Sequence, residues 1–137
     1  MGRILAIDYG KKRTGLAATD PLRIICSPLE TVPTSQLISY LKKYLEAEQV
    51  DEFVIGMPKD LMNNDTDSTA SVRSFIDLLT KAFPDCPVHQ VDERFTSKMA
   101  KSAMLAGGMK KSERRKKENV DKISAAIILQ SYLDSKI

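Results

Sequence analysis

The sequence predicts a single α/β domain, spanning residues 1–137, with a central five-stranded mixed sheet flanked by helices. Three observations lead to this prediction. The chain opens with short apolar stretches separated by turns, helical and strand patterns then alternate, and no repeat or linker divides the chain. The first apolar stretch, Ile4 to Ile7, runs without alternation. Such a run is typical of a strand that is covered on both faces, so we place it at the centre of the sheet.

Three strands separated by two turns are predicted to open the chain as an antiparallel meander. The first strand ends at Asp8, and the basic turn 11–15 leads into a second strand over 16–19. Asp20-Pro21 marks the next turn. The third strand is predicted from Ile24 to Val32.

Helices and strands alternate after the meander. Pro33-Thr34-Ser35 offers capping oxygens for a helix that continues to about Glu48, and a short buried strand over 53–56 follows. The order strand, helix, strand predicts a crossover to a parallel neighbour. Ser68 or Thr69 is predicted to cap the next helix, whose apolar residues recur at intervals of three and four.

The last part of the chain carries a fifth strand and two helical patterns. The strand covers Val88 to Val91 and ends in Asp92-Glu93-Arg94. Thr96 or Ser97 is predicted to cap one helix, whose apolar face runs from Met99 to Met104 and which is broken at Gly107-Gly108. Another helix is predicted from about Lys117 to Leu133. The final helix is apolar over much of its circumference, which indicates that it is largely buried.

Three acids stand where this fold would bring them together. Asp8 ends the first strand, Glu93 follows the fifth, and Asp121 lies on the apolar stripe of the last helix, near its start. Buried carboxylates are costly unless cations or donors compensate them, and their oxygens suit Mg²⁺ or Mn²⁺. Two such ions about 3.5–4 Å apart support phosphodiester hydrolysis. Taken singly, each acid is explained at least as well by a structural role: Asp8 as a turn residue, Glu93 in a surface ion pair and Asp121 as a helix-dipole partner.

Positive charge is concentrated in one segment. Residues 110–118 carry six cations and two acids, a net +4 within a total of +3, so the rest of the chain sums to −1. We expect this segment to bind the phosphates of nucleic acid with little sequence preference. The alternative is that it is a run of charged residues that only contacts solvent. Its cations are Lys110, Lys111, Arg114, Arg115, Lys116 and Lys117. Further cations adjoin the acids and are expected to contact flanking phosphates: Lys11, Lys12, Arg13 and Arg94.

Cysteine, histidine and hydropathy patterns exclude several classes of protein. Cys26 and Cys86 are predicted to be reduced core residues, because neither has a second Cys or His at metal-ligand spacing. His89 is predicted to face outward without an obvious partner, which argues against a His-based nucleophile. No run is long enough to cross a bilayer and no signal core follows the N-terminus, so a cytoplasmic protein without membrane contact is expected.

Five motifs in order resemble the YqgF (RuvX) family, a bacterial group described both as Holliday-junction resolvases and as pre-16S ribosomal RNA nucleases. The resemblance implies a ribonuclease H-like fold with a catalytic, metal-binding triad at Asp8, Glu93 and Asp121. It also implies cleavage of structured RNA or branched DNA with Mg²⁺ or Mn²⁺, with pre-16S 5′-end processing favoured. The motifs are residues 7–17, 54–58, 72–75, 92–97 and 121–129.

Two rival interpretations stay open at this point. Asp8-Tyr9-Gly10 followed by Lys, Thr and Gly also resembles the phosphate-binding hairpin of sugar kinases and actin-like ATPases, although 137 residues leave no room for their second lobe. A non-catalytic nucleic-acid-binding or ribosome-assembly factor would use the acids structurally. A resolvase that cuts two strands symmetrically is expected to be a homodimer, whereas an RNA trimmer can act as a monomer.

The basic segment generates a prediction of its own. Replacing Lys110, Lys111, Arg114 and Arg115 with Ser should weaken nucleic-acid binding and flatten its dependence on salt, because each lost phosphate contact removes one released counterion. Binding measured by fluorescence anisotropy across a salt series tests this. If the slope of log affinity against log salt concentration is unchanged, the segment does not contribute to the binding surface.

Overall fold

A computed structural model describes residues 2–57, 67–92 and 117–135 of the chain. This described part forms one five-stranded sheet with three helices. The strands are β1 (Arg3–Asp8), β2 (Arg13–Thr19), β3 (Cys26–Pro33), β4 (Val50–Met57) and β5 (Val88–Asp92), and the helices are α1 (Leu37–Ala47), α2 (Asp67–Ala82) and α3 (Lys117–Ser135). The sheet order is β3-β2-β1-β4-β5. The predicted mixed sheet flanked by helices is confirmed, whereas the helix predicted over 96–104 lies outside the described residues.

Strand β1 occupies the centre of the sheet. It pairs antiparallel with β2 and parallel with β4, so Leu5 lies between Ala18 and Phe53. Its residues Ile4 to Ile7 are at most 1% exposed, as their unbroken apolar run predicts. β3 is antiparallel to β2, and β5 is parallel to β4. Both the antiparallel meander and the parallel crossover are therefore confirmed.

The two faces of the sheet carry separate apolar clusters. Leu5 and Ile7 of β1 belong to the cluster that α1 and α2 cover, whereas Ile4 and Ala6 belong to the cluster that α3 covers. Side chains alternate between faces along a strand, so Asp8 follows Ile4 and Ala6 onto the α3 face. The apolar stripe predicted for α1 is confirmed, because all of its members pack in the first cluster: Leu37, Ile38, Leu41, Tyr44 and Leu45.

The third strand begins later than predicted. β3 starts at Cys26, and Ile24 and Ile25 lie before it, 69% and 62% exposed. The Asp20 carboxylate accepts hydrogen bonds from the backbone N–H groups of both residues, at 2.7 and 2.8 Å. These backbone groups are therefore engaged in a turn, although their β-branched side chains favour a strand.

The predicted helix caps are also wrong. Residues 34–36 form a short 3₁₀ turn before α1, and neither that turn nor α1 has a side-chain cap. The Thr34 hydroxyl instead donates to the carbonyl of Gly10, a residue distant in sequence. α2 begins at Asp67, so Ser68 and Thr69 lie inside it. At α1 the hydroxyl that the local pattern suggested as a cap is therefore engaged in a tertiary contact, and at α2 the predicted capping residues lie within the helix.

His89 has partners that the sequence did not reveal. Its Nε2 lies 2.9 Å from Oε1 of Glu52, and its ring stacks on Tyr132 at 5.2 Å between centroids. The Tyr132 hydroxyl donates to the same Glu52 oxygen at 3.1 Å. Because Glu52 stands near the beginning of β4, the last turns of α3 lie at the sheet edge opposite Asp8.

The remaining sequence expectations concern thiols and membranes. Cys26 and Cys86 both carry free thiols, in agreement with the prediction that they are reduced. Their side chains are half-buried rather than fully enclosed. Within the described ranges, no helix combines the length and apolar character needed to span a membrane.

The buried face of α1 makes a measurable contribution to stability. Leu41 is 0% exposed, so Leu41→Ala should lower the free energy of unfolding by about 2 to 5 kcal/mol through lost burial and a cavity. Leu78 on α2 is 58% exposed, so Leu78→Ala should change it by less than about 0.5 kcal/mol. Urea denaturation of both variants measures the difference, and equal effects would contradict the assigned core.

Candidate active site at the carboxyl edge of the sheet

Three parallel strands end at one edge of the sheet. The register places Ile7 of β1 beside Ile55 of β4, and Ile55 beside Gln90 of β5. Asp8 and Asp92 therefore end β1 and β5 at nearly the same level. Neighbouring strands lie about 4.8 Å apart, so these two strand ends are separated by about 10 Å.

Asp8 is half-buried at the boundary between the core and this edge. It pairs with Gly15 across the β1–β2 hairpin. The next residue, Tyr9, turns to the other face and stacks on Phe75 of α2, with ring centroids 4.7 Å apart. The Asp8 backbone is thus held on both sides, by the strand pairing and by the stacked Tyr9 ring.

The tip of the β1–β2 hairpin is tied to the turn before α1. The Thr34 hydroxyl donates to the Gly10 carbonyl, and the Thr34 N–H donates to the Lys12 carbonyl at 3.0 Å. The hydroxyls of Thr34 and Thr14 are also 2.9 Å apart. A Cβ on Gly10 would collide with the carbonyl oxygen of Arg13, so only glycine allows this approach. We call these contacts of Thr34 with Gly10, Lys12 and Thr14 the brace, because they hold the hairpin beside Asp8 in place.

This brace presents positive charge next to the carboxylate. Lys11 and Lys12 are exposed at the hairpin tip, and Arg13 is half-buried at the start of β2. Of the other predicted phosphate-binding cations, Lys117 is the first residue of α3, whereas Arg94 and residues 110–116 lie outside the described residues. A phosphate that approaches Asp8 from the hairpin side therefore meets two solvated ammonium groups.

The other two predicted acids are placed only in part. Residue 121 belongs to α3, four residues before the buried Ala125 and seven before the buried Ile128, but its side chain lies outside the described part. Glu93 follows Asp92, the last residue of β5, and itself lies outside the described residues. The backbone thus brings Asp8 to the end of β5, while the meeting of three carboxylates stays a prediction.

The chemistry available at this edge is that of oxygen ligands. Among the described residues, no three His, Cys, Asp or Glu side chains lie close enough to hold a metal ion. His89 is engaged with Glu52 toward the opposite edge. Burial, reinforced by Asp134 and Asp20, raises the pKa of Cys26 to about 11, so this thiol stays protonated. Asp8 therefore offers a hard donor without soft neighbours, which fits Mg²⁺ or Mn²⁺.

Sequence reasoning missed the brace of the hairpin. The local pattern predicts Thr34 as a helix cap and does not indicate a contact with Gly10, which lies 24 residues away. Gly10 itself did carry a signal, because a glycine directly after a strand-ending Asp and Tyr marks a tight approach. The Thr34 hydroxyl reaches the Gly10 carbonyl only because β3 pairs with β2, which brings residue 34 beside the hairpin.

The fold matches that of solved RuvC structures. The RuvC structure from T. thermophilus described as a complex with a Holliday junction superposes with a TM-score of 0.61 at 16% identity, covering 99% of this chain and 96% of that one. A second T. thermophilus RuvC structure gives a TM-score of 0.59 at 15% identity, covering 98% of this chain and 96% of that one. At this identity the likeness establishes the ribonuclease H-like fold that the resemblance implied.

Sequence comparison narrows the class to a family. The family model described as RuvX, Holliday junction resolvase, matches residues 2–135, so this chain belongs to the RuvX family. A relative from Phocaeicola vulgatus is 54% identical over 99% of this chain and 98% of its own, and one from Porphyromonas gingivalis is 53% identical over 98% of each. Both relatives carry the words pre-16S rRNA nuclease in their names.

The brace generates a prediction about the hairpin. Thr34→Val removes the hydroxyl and should cost about 1 to 2 kcal/mol of stability, because the Gly10 carbonyl loses its donor. It should also weaken nucleic-acid binding several-fold by loosening Lys11 and Lys12. Thr34→Ser retains the hydroxyl and should match the wild type. Thermal unfolding and anisotropy measure both effects, and equal behaviour of the two variants would contradict the assigned role.

Proposed function

We propose that this chain is a divalent-metal-dependent nuclease that hydrolyses phosphodiester bonds of structured nucleic acid, with the 5′ end of pre-16S ribosomal RNA as its preferred substrate. The observation that carries the proposal is the parallel arrangement of β1, β4 and β5, which brings Asp8 and the end of β5 to one edge. The family and the ribonuclease H-like fold support the same reaction class.

The catalytic triad that we propose is Asp8, Glu93 and Asp121. Strand alternation supports the second member, because Val91 packs in the α3-side cluster and Glu93 stands two positions further along the sequence. Helix geometry supports the third. Residue 121 lies about 16 Å before residue 132 along a helix axis. Gly56, which follows the β4 partner of Ile7 and is therefore level with Asp8, lies about 13 Å beyond Glu52 along the strand. Since Tyr132 contacts Glu52, a helix that runs along the strands returns residue 121 to the level of Asp8.

These carboxylates would hold Mg²⁺ or Mn²⁺, with two ions expected. Cations bound there would lower the pKa of the attacking water and stabilise the charge that develops on the leaving oxygen. The fit rests on the donor type, because Asp8 supplies hard oxygen ligands and the described thiols and imidazole lie elsewhere.

The protein's own side chains would position the substrate. Lys11 and Lys12 stand on a braced hairpin, so they neutralise flanking phosphates without a large ordering cost. Arg13 and Arg94 are proposed to orient the scissile phosphate or the neighbouring acid. The segment that carries Lys110, Lys111, Arg114, Arg115, Lys116 and Lys117 would add affinity without sequence preference.

A ribosomal RNA precursor is favoured over branched DNA. Relatives that are about half identical over nearly their whole length are named for pre-16S rRNA. Cleavage of a four-way DNA junction is the second candidate, supported by the description of the family. Symmetric cutting of a junction would need two active sites and thus a homodimer, whereas RNA trimming needs one.

The proposal is tested with the purified protein, a 16S precursor RNA and a four-way DNA junction, each incubated in Mn²⁺ and in EDTA. We expect cleavage of the RNA in Mn²⁺ only. Asp8→Asn, Glu93→Gln and Asp121→Asn should each lower the rate by at least about 100-fold, because each removes a charged ligand of the ions. Asp77→Asn, which changes an exposed acid on α2, is the matched control and should be fully active.

Metal binding gives a second readout that does not depend on activity. Mn²⁺ should raise the melting temperature of the wild type and of Asp77→Asn, because a ligand that binds only the folded state stabilises it. The shift should vanish in Asp8→Asn. Cleavage that persists in Asp8→Asn would indicate a contaminating nuclease, and cleavage in EDTA would contradict the metal-dependent mechanism.

A further inference from the structure

The loop between β2 and β3 displays a group of apolar side chains at the surface. Leu22, Ile24 and Ile25, which we call the apolar knob, are 68%, 69% and 62% exposed. A contiguous exposed apolar patch on a monomer is often a functional surface. The proposed active site makes no use of this loop.

The knob stands on a fixed backbone. The Asp20 carboxylate accepts hydrogen bonds from the N–H groups of Leu22, Ile24 and Ile25, at 3.2, 2.7 and 2.8 Å. The Asp20 N–H donates to the Ile25 carbonyl, and the Arg23 N–H donates to the Asp20 carbonyl. A preorganised loop loses little entropy when it binds, so its apolar side chains are presented in a form suited to docking.

The one basic residue of the loop is turned away from the surface. Arg23 has φ 61°, a left-handed conformation that is uncommon for a residue with a side chain. Its guanidinium donates to the Gly2 carbonyl at 3.1 Å and to Asp51 at 2.8 Å, and lies 3.4 Å from Glu52. The cation is thus neutralised within the protein, which leaves the exposed part of the loop apolar.

The surroundings of the knob are acidic. Burial raises the pKa of the Cys26 thiol, which directly follows the knob, and the negative charges of Asp134 and Asp20 raise it further. At the same edge, Glu48 pairs with Arg3 at 3.3 Å, and Asp51 and Glu52 pair with Arg23. Among the described residues, these interactions at the edge that bears the knob involve five carboxylates and two guanidinium groups, an excess of three negative charges.

This acidic, apolar edge lies opposite the basic one. Arg23 contacts Gly2, Asp51 and Glu52, which stand at the beginnings of β1 and β4, whereas Asp8 and the lysine hairpin stand where β1 ends. A ligand on the knob therefore does not block the active site. The two edges also select partners of opposite charge.

The charge around the knob and the apolar area that the knob offers indicate which kind of partner it can bind. Nucleic acid is repelled by the carboxylates and finds no aromatic platform on Leu or Ile. A second copy would bring two acidic rims together, and three side chains offer only a few hundred Å² against the roughly 800 Å² per partner of a stable dimer. A basic protein with an apolar groove complements both the knob and its rim.

We propose that the knob docks into an apolar, basic-rimmed groove of a protein that is already bound to the RNA substrate. Proteins bound to RNA are typically basic, so the acidic rim matches their surface. The inference rests on the proposed function for its choice of partner. Docking at one edge would hold the opposite, basic edge against RNA of the same particle and raise its local concentration.

The test compares two forms of one substrate: precursor small-subunit particles, and the RNA extracted from them. Ile24→Ser/Ile25→Ser should cleave the particle at least about 10-fold more slowly than the wild type, and the extracted RNA within about two-fold of it. Leu78→Ser, which removes an equally exposed aliphatic side chain from α2, should match the wild type on both substrates. Circular dichroism and thermal unfolding confirm that both variants fold.

Docking is measured separately from cleavage. Asp8→Asn protein should cosediment with the particle, and adding Ile24→Ser/Ile25→Ser should weaken this association about 10-fold, even if the proposed nuclease activity proves wrong. Glu48→Gln/Asp134→Asn should weaken it several-fold through the loss of rim charge.

Three results would overturn the proposal. Equal losses on particle and extracted RNA would make the knob part of RNA binding or folding. Undiminished cosedimentation would exclude docking through the knob. A wild-type dimer that Ile24→Ser/Ile25→Ser converts to monomer in analytical ultracentrifugation would assign the surface to a second copy.

Discussion

The burial of β1 on both faces is the constraint on which the rest of the structure depends. Its apolar run is covered by α1 and α2 on one side and by α3 on the other, and it is flanked by β2 and β4. A carboxylate cannot lie within such a strand without a large desolvation cost, so it is placed where the strand ends. Asp8 occupies that position, and the parallel neighbours of β1 define the edge that it shares.

The direction of the strands determines what can meet at this edge. β4 and β5 run parallel to β1, so all three carboxyl ends point the same way, and β2 returns as a hairpin that places Lys11 and Lys12 beside Asp8. Thr34 then fixes the hairpin tip through the Gly10 carbonyl. Topology therefore places the Asp8 carboxylate next to a hairpin that carries two exposed lysines.

The opposite edge of the sheet, where β1 and β4 begin, carries a different distribution of charge. The Arg23 guanidinium is held inward by the Gly2 carbonyl and by carboxylate oxygens. Glu52 also accepts a hydrogen bond from the Tyr132 hydroxyl, and the carboxylates outnumber the cations in the described part of this edge. The apolar side chains of the loop remain outside because the Asp20 carboxylate binds their backbone N–H groups in a tight turn. Two exposed lysines thus stand at one edge of the sheet, and carboxylates and exposed aliphatic side chains stand at the other.

The sequence by itself determined the class of fold, the buried central strand, the helix stripes and the family, because these depend on periodicity and on motifs that are local in the chain. Only the tertiary structure decided the role of Thr34, the partners of His89 and the exposure of Ile24 and Ile25. Each of these depends on a group far away in sequence or on a carboxylate that competes for backbone donors. Local propensity does not encode such competition, since its outcome is settled when the strands pair and the helices pack.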